Sequence, residues 1–489
     1  MSKKIIFIIV TMLCACTFFA CSDKNEPIYE IDYQIDMSLT DDIISAKQTL
    51  IYDNGVKDGL TSTILRLNAN CYAENAVNPA YSVPLNKYGG INVSKLTVDG
   101  VDAEIIYSED KEYLVVNHTE RDLSDKISIY IEYSVSLPEC ALRLGYINGV
   151  YNLSSFYPTL AYYDEKGFRL DKYSKVGDTL LNQTATYSVN FSCSSNLVVA
   201  SGMKQSSLTQ TGNVQTITYY AENVRDMAFV CSPNFEVLSA NFNDVPVYYF
   251  YVPAQPTPEE DTATLMQEEE NLLNVAINAL KVYSETFGAY PYEVYSVVRT
   301  PFDHEGMEYS GLVYVADDSL NPTTTIIHET AHQWWYGAVG NDCINESVLD
   351  EGLVTFCTAY YYELNGESDK FAKEMKDITR AYTMYEKLQN KRKEPLDLSL
   401  NKPIYDYNEY QYVMLIYYKG AMMFDNLYTL YGKEKFNACL KKYYQDNVNK
   451  IATLDDFIKC AKEVLSDDVD RIIDGWLSGK TVVTTFAEE

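Results

Sequence analysis

The sequence predicts a multidomain chain, with an N-terminal all-β saddle or sandwich followed by a mainly helical α+β domain. Three observations carry this reading. At 489 residues the chain exceeds one ordinary core, so two or three domains are expected. From about residue 29 to 239, short segments such as 126–135 and 186–193 alternate polar and apolar residues between Asn, Gly, Asp and Pro turns, the period-2 signature of half-buried strands. Beyond Val245 the period changes. After a strand at 245–253 and a polar connector at 256–261, residues 263–287 carry Leu265, Leu272, Leu273, Ala276, Leu280 and Tyr283 on one helical stripe. Further helices are expected over 372–388, 416–430, 436–446 and 454–465. The boundary falls near residue 240, giving domains over 21–240 and 241–489.

Composition narrows the functional classes. A formal charge of -30 repels nucleic acid and anionic membranes, so neither is an expected partner. The 44 tyrosines suit packed sheets and indicate no function by themselves. Of the 11 cysteines, Cys14 and Cys16 lie in the N-terminal apolar run and Cys21 directly follows it. The others, from Cys71 to Cys460, have no C-x-x-C spacing, which argues against a cysteine zinc site and leaves any pairing open.

The first residues read as an export signal. Lys3 and Lys4 precede an apolar run over 5–20, too short and wrongly flanked for a membrane span. The run ends Ala20-Cys21, which resembles a bacterial lipoprotein signal over 1–20 with acylation at Cys21. The polar, acidic stretch 22–26 resembles the export tag of surface lipoproteins in the Bacteroides group. The expected location is the cell envelope, lipid-anchored at the outer membrane or cell surface. No later segment is long and apolar enough to span a bilayer.

The chemistry concentrates at His328-Glu329-Thr330-Ala331-His332. His328 and His332 are four residues apart, so a helix places both imidazoles on one face, one turn apart. Asn321-Pro322 offers a helix start, and Gly337 and Gly340 offer stops. Glu351, with eighteen residues between it and His332, supplies a carboxylate from a neighbouring helix. Two imidazoles and one carboxylate leave a coordination position open, the form of a catalytic rather than a structural zinc site. The donor set favours one Zn²⁺, with Mn²⁺ or Co²⁺ as substitutes. Glu329 points differently around the helix and is the expected general base for hydrolysis of a carbonyl compound. Two of the chain's 4 histidines sit in this motif, and the other two, His118 and His304, read as structural, His118 in a turn-like stretch.

The segment HETAHQWWYGAVGNDCINESVLDEG resembles the gluzincin aminopeptidases, the family of membrane alanyl aminopeptidase and leukotriene hydrolase. Their pattern is H-E-x-x-H, eighteen residues, then E. Upstream, Gly306-Met307-Glu308-Tyr309-Ser310-Gly311 is similar to the family's G-x-M-E-N strand, and Tyr417-Tyr418-Lys419-Gly420 to its Tyr-x-Lys-Gly motif. Segments 287–292 and 221–229 also match, so the resemblance runs from about residue 140 onward. It implies a thermolysin-like second domain, peptide substrates, and one zinc ion held by His328, His332 and Glu351. It also implies that Glu308, with Gly306 and Met307, binds the free α-amine of the substrate, and that Tyr417 donates to the oxyanion.

The chain departs from the pattern in places. Asp350 and Tyr309 replace two family asparagines, and residues 156–161 lack the Gln or Glu that often supplies an amine anchor from the β-domain. The chain ends about seventy residues after Tyr417, so the large C-terminal helical domain of longer members is not expected and the site should be more open. The competing readings are a zinc endopeptidase on the same core and a non-catalytic surface lipoprotein that binds peptides.

Overall fold

The computed structural model describes residues 30–54, 58–122, 125–254, 262–392 and 396–481. The export signal, Cys21 and the connector 256–261 lie outside the described residues.

The N-terminal part is built on an eight-stranded sheet ordered Lys204–Thr211, Val214–Val224, Ala185–Ser194, Ile31–Thr40, Ile43–Asp53, Lys126–Ser136, Gly90–Val98 and Val101–Asp102. Its neighbours are antiparallel except Ile31–Thr40 and Ala185–Ser194, which run parallel. The period-2 pattern works as expected: in Lys126–Ser136, Ile127, Ile129, Ile131, Tyr133 and Val135 are buried while the residues between them are not. Two four-stranded sheets pack against this layer through Leu65, Leu114, Leu153 and Phe229. His118 lies in the strand Tyr113–Arg121, not in a turn, with one ring nitrogen 3.1 Å from Thr63 Oγ1.

The second part opens with a mixed five-stranded sheet ordered Glu236–Phe242, Val245–Tyr251, Tyr295–Thr300, Leu312–Ala316 and Gly306–Met307. The helix Thr262–Thr286 packs against it, burying Leu272, Leu273, Ala276, Leu280 and Tyr283 as the stripe requires. The helices expected over 372–388 and 436–446 run longer, as Ser368–Gln389 and Lys433–Asn447, the one expected over 416–430 is α-helical from Gly420 to Tyr431, and the one expected over 454–465 is Leu454–Val464. The cysteines from Cys71 to Cys460 are buried and unpaired among the described residues.

Two local departures from helical spacing shape the site. The helix carrying the histidines starts as expected, with Asn321 accepting from Thr324 N–H and Pro322 in the first turn, but it ends at Ala331, before either glycine. The chain then winds more widely: Gly337, Ala338 and Val339 donate to the carbonyls five residues back, at His332, Gln333 and Trp334. Likewise Val413–Lys419, whose last four residues were expected to open the α-helix over 416–430, is π-helical, a winding that clusters at functional positions.

Candidate metal and peptide site

A cavity of about 1030 Å³ separates the β-rich part from the helices, and the sequence motifs converge on it. His328 and His332 come from the helix Pro322–Ala331 and its C-cap, and Glu351 opens the helix Glu351–Leu364. The glycines explain how the third element comes so close. A Cβ on Gly352 would sit 3.1 Å from Gly420 Cα, and one on Gly420 would sit 2.9 Å from Gly352 Cα, so two helices cross at a glycine pair. That crossing places the π-helical turn of Tyr417 over the donors, its ring stacked on His328 with centroids 6.0 Å apart and planes 7° from parallel. Lys419 is buried and ties the turn down by donating to the Leu398 carbonyl at 2.6 Å; burial lowers its ammonium to about 8.

Each imidazole is oriented from behind. Thr358 donates its own proton to the Val354 carbonyl and therefore accepts from His328 Nδ1–H at 3.1 Å. His332 Nδ1–H donates to the Trp335 carbonyl at 3.0 Å, with Asp350 carboxylate also 3.0 Å from that nitrogen. Both Nε2 lone pairs are thus turned inward, the arrangement that outer partners impose on metal-binding histidines. The two Nε2 atoms lie 3.2 Å apart, and Glu351 Oε2 lies 3.3 Å from His328 Nε2 and 3.5 Å from His332 Nε2. Donors on a tetrahedral zinc at about 2.0–2.2 Å are separated by about 3.3–3.5 Å. Three lone-pair donors facing one another at that spacing repel without a cation and form one face of a tetrahedron with one, so the residues fit a single zinc ion.

The surrounding electrostatics separate the carboxylates. Burial works against ionising Glu351, yet hydrogen bonds and charge from His328 and His332 outweigh it and hold its carboxyl well below the usual range. Burial pushes Glu329 up to about 8, opposed by His332, and pushes Asp350 up to about 6, again opposed by His332. Glu308 is raised well above its ordinary value, first by burial, with His332 opposing and Asp178 adding to the rise. Tyr417 is also raised well above its ordinary value, by burial and then by Glu351, so its hydroxyl stays a donor.

Glu329 Oε2 is buried and has no hydrogen-bond partner among the described residues, and its Oε1 lies where a Cβ on Gly306 would stand, 2.3 Å away. Glu308 follows the short strand Gly306–Met307; it is 5% exposed, whereas the nearby Glu305 is exposed and accepts from Ser319 instead. One ligand atom each from Glu308, Glu329 and His332 lie within 4.8 Å of one another. His304 lines the cavity mouth, exposed and paired with Asp303, and ligates with neither histidine of the motif.

Sequence reasoning missed Arg143 and Asp178, which enter the same cavity from the β-rich part and pair at 3.0 Å. It also missed Arg225 and Asp226, whose segment it had quoted. Arg225 donates to four carbonyls, of Tyr336, Asn182, Ala338 and Lys450. Of these only Arg143 carried a signal, a charge inside the apolar stretch 141–147.

Residues 272–476 match the peptidase family M1 domain. Aminopeptidase N of Lactobacillus helveticus is 26% identical over 241 residues, covering 46% of this chain and 28% of that protein. Aminopeptidase N of Escherichia coli (strain K12) is 24% identical over 228 residues, covering 43% and 26%. The aligned part is thus about a quarter of the length of these curated relatives. Among solved structures, the M1 zinc metallopeptidase from Deinococcus radiodurans superposes with a TM-score of 0.67 at 17% identity, covering 94% of this chain and 96% of that one. A mutant of that metallopeptidase bound to a Tyr-Ser-Ala substrate superposes with a TM-score of 0.66, also at 17% identity and with the same coverage. These likenesses give the same two-part fold.

Proposed function

We propose that this chain, which carries a peptidase family M1 domain, is a zinc aminopeptidase that releases N-terminal residues from peptides. The observation that carries the reading is the meeting, in one cavity, of three converging metal donors, the unpartnered Glu329 carboxylate and the buried Glu308 carboxylate. His328, His332 and Glu351 would hold the zinc, which when bound would supply Lewis-acid polarisation of a carbonyl and a lowered pKa for water. Glu329 takes the proton of the attacking water and returns it to the leaving amine. Its unpartnered oxygen is free for that transfer, and the bare backbone of Gly306 leaves it room. Tyr417 donates to the oxyanion that develops on the carbonyl. Glu308 pairs with the substrate ammonium, with Met307 beside it in the wall, so a free N-terminus is rewarded and an internal peptide bond is not.

The test compares free with N-acetylated peptides on zinc-loaded protein, beside Glu329→Gln. Cleavage of the free series only, lost in the variant, supports the reading. Equal cleavage of blocked peptides replaces it with an endopeptidase, and no cleavage of either replaces it with a peptide-binding protein.

We also propose that the mature chain begins at Cys21 and is lipid-anchored in the cell envelope. The support is the Lys3-Lys4 pair, the apolar run and Ala20-Cys21. No helix among the described residues is long and apolar enough to cross a membrane. Mass spectrometry of the N-terminal peptide, with Cys21→Ala as control, decides it: an unacylated N-terminus would rule the anchor out.

A further inference from the structure

We infer that Tyr412 is a positioning residue for Tyr417, and that the β-rich part of the chain reaches the oxyanion donor through it. The inference rests on the role given to Tyr417 above and names a residue that lies outside the Tyr-x-Lys-Gly motif.

Tyr412 is buried and closes the short helix Glu409–Tyr412, whose start is fixed by a capping box between Asn408 and Gln411. Residues five apart stand about 140° apart around an α-helix and do not face each other. The π-helical winding of Val413–Lys419 closes turns of five residues instead, and it brings the rings of Tyr412 and Tyr417 together. Their centroids lie 5.7 Å apart with planes at 75°, edge to face. Tyr417 is half-buried and stacks flat on His328, a contact along which a ring can slide. The edge contact with Tyr412 opposes that slide, so it sets where the Tyr417 hydroxyl points.

Tyr412 is itself held from the β-rich part. Gly177 stands at φ +70, and a Cβ there would lie 2.8 Å from the Tyr412 hydroxyl and 2.9 Å from its Cζ, so bare backbone rests on the far end of the ring. The segment around Gly177 is tied down on both sides. Arg66, buried in the β-rich part, donates to the Asp171 carbonyl at 3.1 Å and to the Thr179 carbonyl. Tyr405, seven residues before Tyr412, donates to the Lys172 carbonyl at 2.8 Å. Tyr407 meets Tyr412 edge to face with centroids 6.0 Å apart. Contacts therefore run without a gap from Gly177 through Tyr412 and Tyr417 to His328. A ring that only filled space would contribute to stability. A ring that aims the Tyr417 hydroxyl also contributes to the rate, through Tyr417 and through no other group.

The experiment uses the zinc-loaded protein and measures kcat and KM on the best cleaved of the alanyl, leucyl and arginyl p-nitroanilides. Wild type, Tyr412→Leu, Tyr417→Phe and the double variant complete a double-mutant cycle, with zinc content checked in each. Tyr412→Leu should lower kcat by about tenfold or more with KM nearly unchanged, because the bond to the oxyanion is made only in the transition state. In the Tyr417→Phe background the same change should cost less than about twofold, because the two residues act as one unit. Tyr412→Phe, which keeps the ring, should recover most of the loss. If Tyr412→Leu does not fold, Gly177→Ala takes its place in the cycle, since its methyl displaces the Tyr412 ring from the other side. The same fold-loss in both Tyr417 backgrounds, a higher KM at constant kcat, or wild-type kcat in Tyr412→Leu would each overturn the inference. The role of Tyr417 fails separately, when Tyr417→Phe alone keeps wild-type kcat. The aminopeptidase reading fails when wild type cleaves N-acetylated and free peptides alike.

Discussion

Asp226 accepts the backbone N–H of Ser310 at 2.8 Å, and its second oxygen takes the hydroxyl hydrogen of Tyr336. Ser310 lies two residues beyond Glu308, and Tyr336 four residues beyond His332. One carboxylate from the end of the β-rich part therefore ties the segment after the strand Gly306–Met307 to the turn that follows the histidine helix. Arg225 beside it braces the same turn through the Tyr336 carbonyl at 2.6 Å. Tyr336 sits at φ 128, a conformation that non-glycine residues rarely adopt and that persists only when neighbours hold it. Asp226→Ala leaves a buried N–H and a buried hydroxyl without their acceptor. The expected loss is about 2–4 kcal/mol of stability in chemical denaturation, together with lower kcat/KM. Unchanged stability would remove the tie from the account.

Gly306→Ala tests the space around the base. The new methyl would need the position 2.3 Å from Glu329 Oε1, so the carboxylate must swing away. Displacing a reacting group by about 1 Å costs on the order of 10²-fold in rate. The expectation is a loss of that size in kcat with zinc content unchanged. A variant with wild-type kcat would show that Glu329 has room to spare.

Thr358→Val tests the support behind His328. The hydroxyl that accepts Nδ1–H at 3.1 Å is replaced by a methyl of similar size, so packing is kept and orientation is lost. Removing such a partner lowers metal affinity by about 10–100-fold. Zinc competition against a chelator of known affinity reads the change directly, and equal affinity in variant and wild type would contradict the role.

These tests also mark where sequence and structure part. The metal donors were legible because their spacing is local: His328 and His332 share a helix face, and Glu351 opens the helix Glu351–Leu364, beyond the winding turn that follows. The motif singled out Glu308 over Glu305, and Glu308 is the buried one of the two. Asp178 and Asp226 were not legible, since their partners lie in remote segments and a lone acid in a loop has no periodicity to betray it. The early end of the histidine helix escaped for a related reason. The helix ends before either glycine: Gly337 makes the first of the bonds to carbonyls five residues back, and Gly340 leaves the room that Arg225 occupies. The strands of the large sheet were legible because their period is 2, but their order was not, because the parallel pairing of Ile31–Thr40 with Ala185–Ser194 joins segments far apart in the chain.

Glu346 gives the chain a pH dependence away from the site chemistry. Its side chain is half-buried and accepts from Leu454 N–H at 2.8 Å at the start of the helix Leu454–Val464. Burial raises its carboxyl to about 7, the Leu454 hydrogen bond opposes this, and Asp342, Asp455 and Asp456 add to the rise. In the unfolded chain the same carboxyl titrates at about 4.3. The folded form therefore holds the proton more tightly between these values. The stability this contributes is fully present below the unfolded value and is lost as pH rises through about 7. Glu346→Gln keeps an acceptor for Leu454 and removes the charge. Its melting temperature should equal that of wild type at low pH, where both side chains are neutral, and exceed it by about 1–3 °C above pH 8, where only wild type carries the buried charge. A variant less stable than wild type at high pH would mean that the ionised carboxylate helps the helix start more than its acidic neighbours and its burial oppose it.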